Sequence, residues 1–220
     1  MLKIKKIVKK YEGTDKNTLD ISEISFKRGT ITKIIGANGI GKTTFLSILA
    51  GLMDFEGKIS FDKYSINEDY QKYLLVTSYI GNDLFLYDYL TGREMIYFVQ
   101  KMINSKKDID CDLINFIDES GLSEYLDIFT KEMSLGTKQK LSIVLALLVS
   151  PKVLLLDEPF VNLDDHSKIA LIKLLKLKSK EDQLIIIYAT HLPEDTVGEL
   201  SDATIQLTKR DGEGADLVWQ

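Results

Sequence analysis

At 220 residues, with 45% hydrophobic and 28% charged side chains, the chain is long enough to bury a sizeable core and falls among ordinary globular proteins. Its formal net charge of -5 argues against a general nucleic-acid binder, which needs a basic excess to meet phosphates. The single cysteine, Cys111, excludes an internal disulfide or a metal centre built on cysteines and suits a reducing compartment.

In chain order, Leu2 to Val8 alternates apolar residues with lysines in the manner of a strand. The run Lys3, Lys5, Lys6, Lys9 and Lys10 could serve a membrane surface or a nucleic acid, but the alternation favours a strand with a solvated face. No apolar run of adequate length for a secretory signal follows it. Thr18 to Phe26 reads as a second strand ending at the turn Lys27-Arg28-Gly29, and Ile31 to Ile35 as a buried strand. A glycine-rich loop follows, then a helix from Gly41 to about Leu49 with Gly51 at C′. Gly57 to Ile66 reads as another strand and turn. From Leu84 to Leu148 the spacing becomes helical over residues 91–103, 112–122 and 123–133, with Thr91 and Asp112 as candidate N-terminal caps. Strand character returns at Lys152 to Pro159, followed by a helix over 170–177 and strands over 184–191 and 203–210. Asp211 to Gly214 then reads as a hairpin turn into 215–219. The longest apolar stretches, Ile143 to Val149 and Val153 to Leu156, fall well short of the ~18 residues that span a bilayer.

The chemistry is concentrated in the loop. Gly36, Gly41, Lys42 and Thr43 fit the pattern Gly, four residues, Gly-Lys-Thr, between a strand and a helix. A triphosphate needs many donors in a small concave space, and Gly36, Gly39 and Gly41 let the backbone curl so that its N–H groups point inward. The helix start adds unpaired N–H groups and the positive end of its dipole. Lys42 would reach the β and γ phosphates, and Thr43 would ligate Mg²⁺. Far along the chain, a strand ends in Asp157 and Glu158, where open parallel sheets bind their ligands. Asp157 suits a Mg²⁺ ligand and Glu158 a general base for water.

With these landmarks the chain resembles the ATP-binding subunits of ABC transporters over nearly its whole length. Met133 to Leu141, MSLGTKQKL, is similar to the family's signature loop, with Ser134, Gly136, Gln139 and Lys140 in place 23 residues before Asp157. Leu163 and Asp164 match the family's D-loop, and His191 its switch histidine. Tyr11 stands 25 residues before Gly36, where the family places an aromatic over adenine. Taken alone, such a tyrosine is as readily a surface aromatic, and such a histidine a structural one. The resemblance departs at Asn82, where glutamine is usual, at Leu135 in place of glycine and at Thr137 in place of glutamine. The Ser-Leu-Gly variant resembles one met in exporter-type subunits.

The resemblance implies an α/β fold: a P-loop NTPase (RecA-like) core over 1–83 and 150–220, an antiparallel β subdomain, and an inserted α-helical signature lobe over 84–149. It implies an ATPase using ATP and Mg²⁺, with Glu158, His191 and Lys42 catalytic and Thr43, Asn82 and Asp157 at the metal. ATP would be bound by Tyr11, Gly36, Ala37, Asn38, Gly39, Ile40, Gly41, Lys42, Thr43 and Thr44. Ser134 and Gly136 would contact the γ-phosphate held by a second ATP-binding subunit. It further implies a separately encoded membrane permease docked near Asn82 to Leu90, with Phe85, Tyr87 and Tyr89 as contacts, and a place on the cytoplasmic face of the membrane. Two alternatives stay open. One is a catalytically weak half of a heterodimer. The other is a non-transport ABC ATPase, disfavoured because only 92 residues separate Lys42 from Ser134, too few for a coiled-coil insertion.

Overall fold

The computed structural model describes residues 1–11, 13, 17–103, 109–191, 200–209 and 214–219. In chain order the elements are β1 Leu2–Lys9, β2 Leu19–Ile21, β3 Ile24–Phe26, β4 Ile31–Ile35, α1 Lys42–Leu49, β5 Glu56–Phe61, β6 Tyr64–Ser65, α2 Tyr70–Leu74 and β7 Thr77–Ile80. Then follow α3 Gly92–Met102, α4 Cys111–Glu119, α5 Leu135–Leu148, β8 Val153–Asp157, α6 Asp165–Glu181, β9 Ile185–Ala189, β10 Ala203–Lys209 and β11 Ala215–Trp219.

One mixed sheet runs through the described residues in the order β6-β5-β1-β2-β11-β10-β4-β9-β8-β7, with β3 also paired to β1. One half is antiparallel, built on β1 against β2, β3 and β5. The other half is parallel, β10-β4-β9-β8-β7, and its central strands β8 and β9 are buried at every position. Continuous apolar runs such as VLLLD and IIIYA are what a strand covered on both faces requires. Two apolar clusters do the covering. In one, α1 (Phe45, Leu46, Leu49) packs with the antiparallel strands. In the other, α3, α4, α5 and α6 pack together against the opposite face.

The sequence expectations hold for the strands around the loop and for α1, whose N-cap is Gly41 and whose C′ residue, Gly51, has φ 76°. Three expectations are corrected. The strand over 18–26 is broken at Ser22 and Glu23, although β2 and β3 keep one continuous register along β1. Residues 123–133 hold no α-helix: 3₁₀ turns span Leu122–Tyr125 and Thr130–Glu132. The N-cap of α4 is Asp110, which accepts from Leu113 N–H at 3.0 Å; Asp112 lies in the first turn. The short α2 and β7 had no counterpart in the sequence reading. The hairpin turn expected at 211–214 lies largely outside the described residues, but β10 and β11 do pair antiparallel. No described helix is long and apolar enough to cross a membrane.

Candidate functional site

Strands β7, β8, β9 and β4 lie side by side and parallel, so their carboxyl ends deliver four separate segments to one edge. From β4 comes the glycine loop, from β7 Asn82, from β8 Asp157 and Glu158, and from β9 His191. A cavity of about 330 Å³ at this edge is lined by Tyr11, Gly41, Lys42, Thr43, Asn82, Asp157 and Glu158, among others.

In the loop, Gly41 has φ 115°, a backbone shape that L side chains rarely adopt, and a Cβ there would lie 2.8 Å from Leu19 Cδ2. Glycine also leaves α1 without a side-chain cap, so the first N–H groups of the helix stay available to an anion. Lys42 is 8% exposed, and its ammonium folds into its own loop, donating to the carbonyls of Gly36 at 2.8 Å and Ala37 at 3.3 Å. Ile40 turns its side chain into the core and donates its N–H to Ala37, while Asn38, Gly39 and Thr44 face the cavity.

One turn into the site, the Thr43 hydroxyl donates to Asp157 Oδ2 at 2.6 Å. Burial pushes the Asp157 carboxyl above its ordinary pKa, and the neighbouring Glu158 charge adds to this; the Thr43 hydrogen bond and Lys42 pull the other way. Glu158 sits at φ 52° and donates its N–H to Ala189 C=O at 2.9 Å, which fixes it to β9. Its carboxylate meets His191 twice, through Nδ1 at 2.8 Å and the backbone N–H at 3.2 Å. Tyr11 bonds Thr44 through its hydroxyl at 3.0 Å, and its ring, 40% exposed, lies under the Lys9 ammonium. Asn82 is exposed and close enough to share the cavity wall with Thr43 and Asp157.

Ser134 and Gly136 are not among the residues lining this cavity. Ser134 caps α5, its hydroxyl accepting from Thr137 N–H at 3.1 Å, and both Ser134 and Leu135 are exposed. Gln139 and Lys140 are buried instead, and Lys140 donates to the Ser120 carbonyl at 2.8 Å. Asp164 caps α6 by accepting from Ser167 N–H at 2.9 Å. Two participants have no sequence signature: Thr18, which lines the cavity from the turn before β2, and Asn162, which packs on Gly136.

The family model of the ABC transporter matches residues 19–161, more than half of the chain and most of the cavity wall. The chain belongs to the ABC transporter family. As an ABC ATP-binding domain it is an ATPase. It is 30% identical over 210 residues to the uncharacterized ABC transporter ATP-binding protein YybJ of Bacillus subtilis (strain 168), covering 94% of this chain and 92% of that protein. It is 32% identical over 213 residues to ATP-binding cassette sub-family A member 10 of Homo sapiens, covering 94% of this chain but only 14% of that much longer protein. Among solved structures it is similar to an ATP-binding subunit of an ABC transporter, with 27% identity and a TM-score of 0.84 over 100% of this chain and 90% of the other. The P-loop NTPase fold and the ABC ATPase character are thereby established.

Proposed function

We propose that this ABC ATPase hydrolyses ATP in the cavity at the ends of β4, β7, β8 and β9 and drives a separately encoded membrane permease. The observation that carries the reading is the convergence there of a phosphate loop, the Thr43–Asp157 pair and the Glu158–His191 pair. Lys42 would leave the Gly36 and Ala37 carbonyls for the β and γ phosphates, since an ammonium gains more from phosphate oxygens than from neutral carbonyls. The Tyr11 ring supports adenine through its π face.

Thr43, Asp157 and Asn82 would hold Mg²⁺. The donor set fits: these oxygens are hard, and Thr43 Oγ1 and Asp157 Oδ2 already lie 2.6 Å apart. Among the described residues no cluster of three or more His, Cys, Asp or Glu could hold a metal alone, which suits an ion completed by phosphates and water. When bound, the ion neutralises phosphate charge. Glu158 takes a proton from the attacking water as its oxygen bonds the γ-phosphorus, and the bond to the β–γ bridging oxygen breaks to give ADP and phosphate. His191, holding the Glu158 carboxylate at two points, would orient that base and reach the γ-phosphate.

Ser134, exposed, and Gly136, half-buried, lie away from the chain's own cavity, and both would complete the site of a second ATP-binding subunit, with the N-terminus of α5 toward its γ-phosphate. Beside the phosphate cavity opens an apolar groove of about 880 Å³, lined by Phe85, Tyr87, Met95, Phe98, Met102 and Leu145. Thr43 and Asn82 border both spaces. A permease segment seated in the groove would therefore touch the nucleotide site directly. Phe85 and Tyr89, 81% and 75% exposed, stand ready for that contact, on the cytoplasmic face of the membrane. Export rests only on the Ser134-Leu135-Gly136 variant.

Lys42→Ala and Glu158→Gln test the reading. Removing a general base costs on the order of 10²–10⁴ in rate, so Glu158→Gln should lose turnover by at least 100-fold while still binding ATP. Lys42→Ala should lose ATP binding as well. Unchanged phosphate release in both variants would overturn the assignment.

A further inference from the structure

Gly136 has a neighbour that nucleotide binding does not explain. A Cβ built there would lie 2.3 Å from the Asn162 carbonyl oxygen, a backbone atom that cannot swing aside as a side-chain tip can. The opening turn of α5 and the loop after Glu158 are therefore packed backbone to backbone within one chain.

That loop is tightly set. Val161 N–H donates to the Glu158 carbonyl at 3.2 Å, and Phe160, 1% exposed, stands edge-on to Tyr188 with ring centroids 5.9 Å apart. Both ends are left-handed and neither is glycine: Glu158 has φ 52° and Asn162 φ 68°. Such residues persist where their surroundings over-determine them. Just beyond, the Ser120 carbonyl accepts from Lys140 of α5 at 2.8 Å and from Ser167 of α6 at 3.4 Å, and Ser167 also donates to Asp164 at 2.7 Å. Thus α5 meets the loop at Gly136 and Asn162, and shares the Ser120 carbonyl with Ser167, whose hydroxyl also reaches Asp164.

We infer that Asn162 is a positioning residue: seated on Gly136, its carbonyl lets the signature turn set the placement of Glu158 in the same chain. The inference rests on reading Glu158 as the base and Ser134 and Gly136 as contacts to a partner's nucleotide. Its consequence is that a displacement of the signature turn is felt at the chain's own base as well as at the partner's site. Gly136 is then required by the Asn162 carbonyl, whatever it does for phosphate.

The test reads the isolated chain, before any turnover or dimer. Only two histidines are present, His166 and His191, so imidazole resonances are simple to assign by NMR. Gly136→Ala should shift the His191 ring resonances, because the Glu158 carboxylate is displaced from Nδ1, whereas Leu135→Ala, on the exposed signature surface, should not. Adding Asn162→Gly, which lets the carbonyl turn away, should return His191 toward its wild-type position. Should Gly136→Ala alone fail to fold, adding Asn162→Gly should restore a folded chain with His191 near its wild-type position. Unshifted His191 in folded Gly136→Ala, or no recovery in the double variant, overturns the inference. A wild-type chain without ATP turnover would overturn the proposed function and leave the His191 test of the contact intact.

Discussion

Asp157 carries opposed demands. It lies 3% exposed at the end of a central strand beside another carboxylate, and both facts favour its neutral form. A carboxyl whose folded pKa is raised is penalised once the pH exceeds the unfolded value, here 3.8, and the penalty is complete above the folded value. Stability therefore falls as pH rises through that window. Asp157→Asn keeps an acceptor for Thr43 and removes the charge, so it should raise the Tm at pH 7, leave it unchanged below pH 3.8, and abolish Mg²⁺-dependent turnover. Thermal scans at the two pH values check this; a lower Tm at pH 7 would contradict it. At this scale the motifs indicated which distant residues would meet, and Lys42, Thr43 and Asp157 do line one cavity. The sequence was silent where backbone shape decides. Nothing in the letters of Glu158 and Asn162 announces φ 52° and 68°, because a left-handed residue without glycine is held by its surroundings.

Among the elements, α3 was legible to its first residue. Thr91 and Glu94 form a reciprocal capping box, with Thr91 N–H to Glu94 at 2.8 Å and Glu94 N–H to Thr91 at 3.2 Å. Residues 123–133 were misread because their apolar spacing reflects tertiary anchoring. Thr130 donates its N–H to Leu90 at 2.9 Å and its hydroxyl to Tyr87 at 2.7 Å, and the Leu126 carbonyl accepts from Arg93 N–H at 2.9 Å. Those groups are thereby taken from any α-helical ladder. Helices α4 and α6 are joined by a device no local pattern shows. Lys178, 5% exposed, reaches Asp110 at 2.9 Å and Asp112 at 3.1 Å on α4 and Asp182 at 3.3 Å at the end of α6. Burial opposes its charge, but the hydrogen bonds it donates to Asp110 and Asp112 prevail and raise its pKa. Removing one partner of a fully buried pair costs about 3–5 kcal/mol. With Asp110 and Asp182 half-exposed, Lys178→Met should cost roughly 1–3 kcal/mol, read as a lower urea midpoint with unchanged m. A variant as stable as the parent would show that the clamp contributes nothing.

For the whole molecule, the sequence spoke clearly about the core and faintly about assembly. Buried parallel strands announce themselves as continuous apolar runs, and the order of their carboxyl-end motifs implies one edge where chemistry gathers. The single strand expected over 18–26 is broken at Ser22 and Glu23, although its two pieces keep one register along β1. What the letters could not show is that Ser134 lies outside the chain's own phosphate cavity, since spacing along a chain does not fix direction in space. On the reading proposed above, Ser134 would complete the site of a second ATP-binding subunit, taken here to be another copy of this chain. The measurement that tests it most directly is the solution mass of Glu158→Gln, by size exclusion with light scattering, with and without Mg²⁺ and ATP. A homodimer closed by ATP should show about 25.0 kDa without nucleotide and twice that with it. A mass that stays at one chain, with ATP binding confirmed by calorimetry, would contradict it.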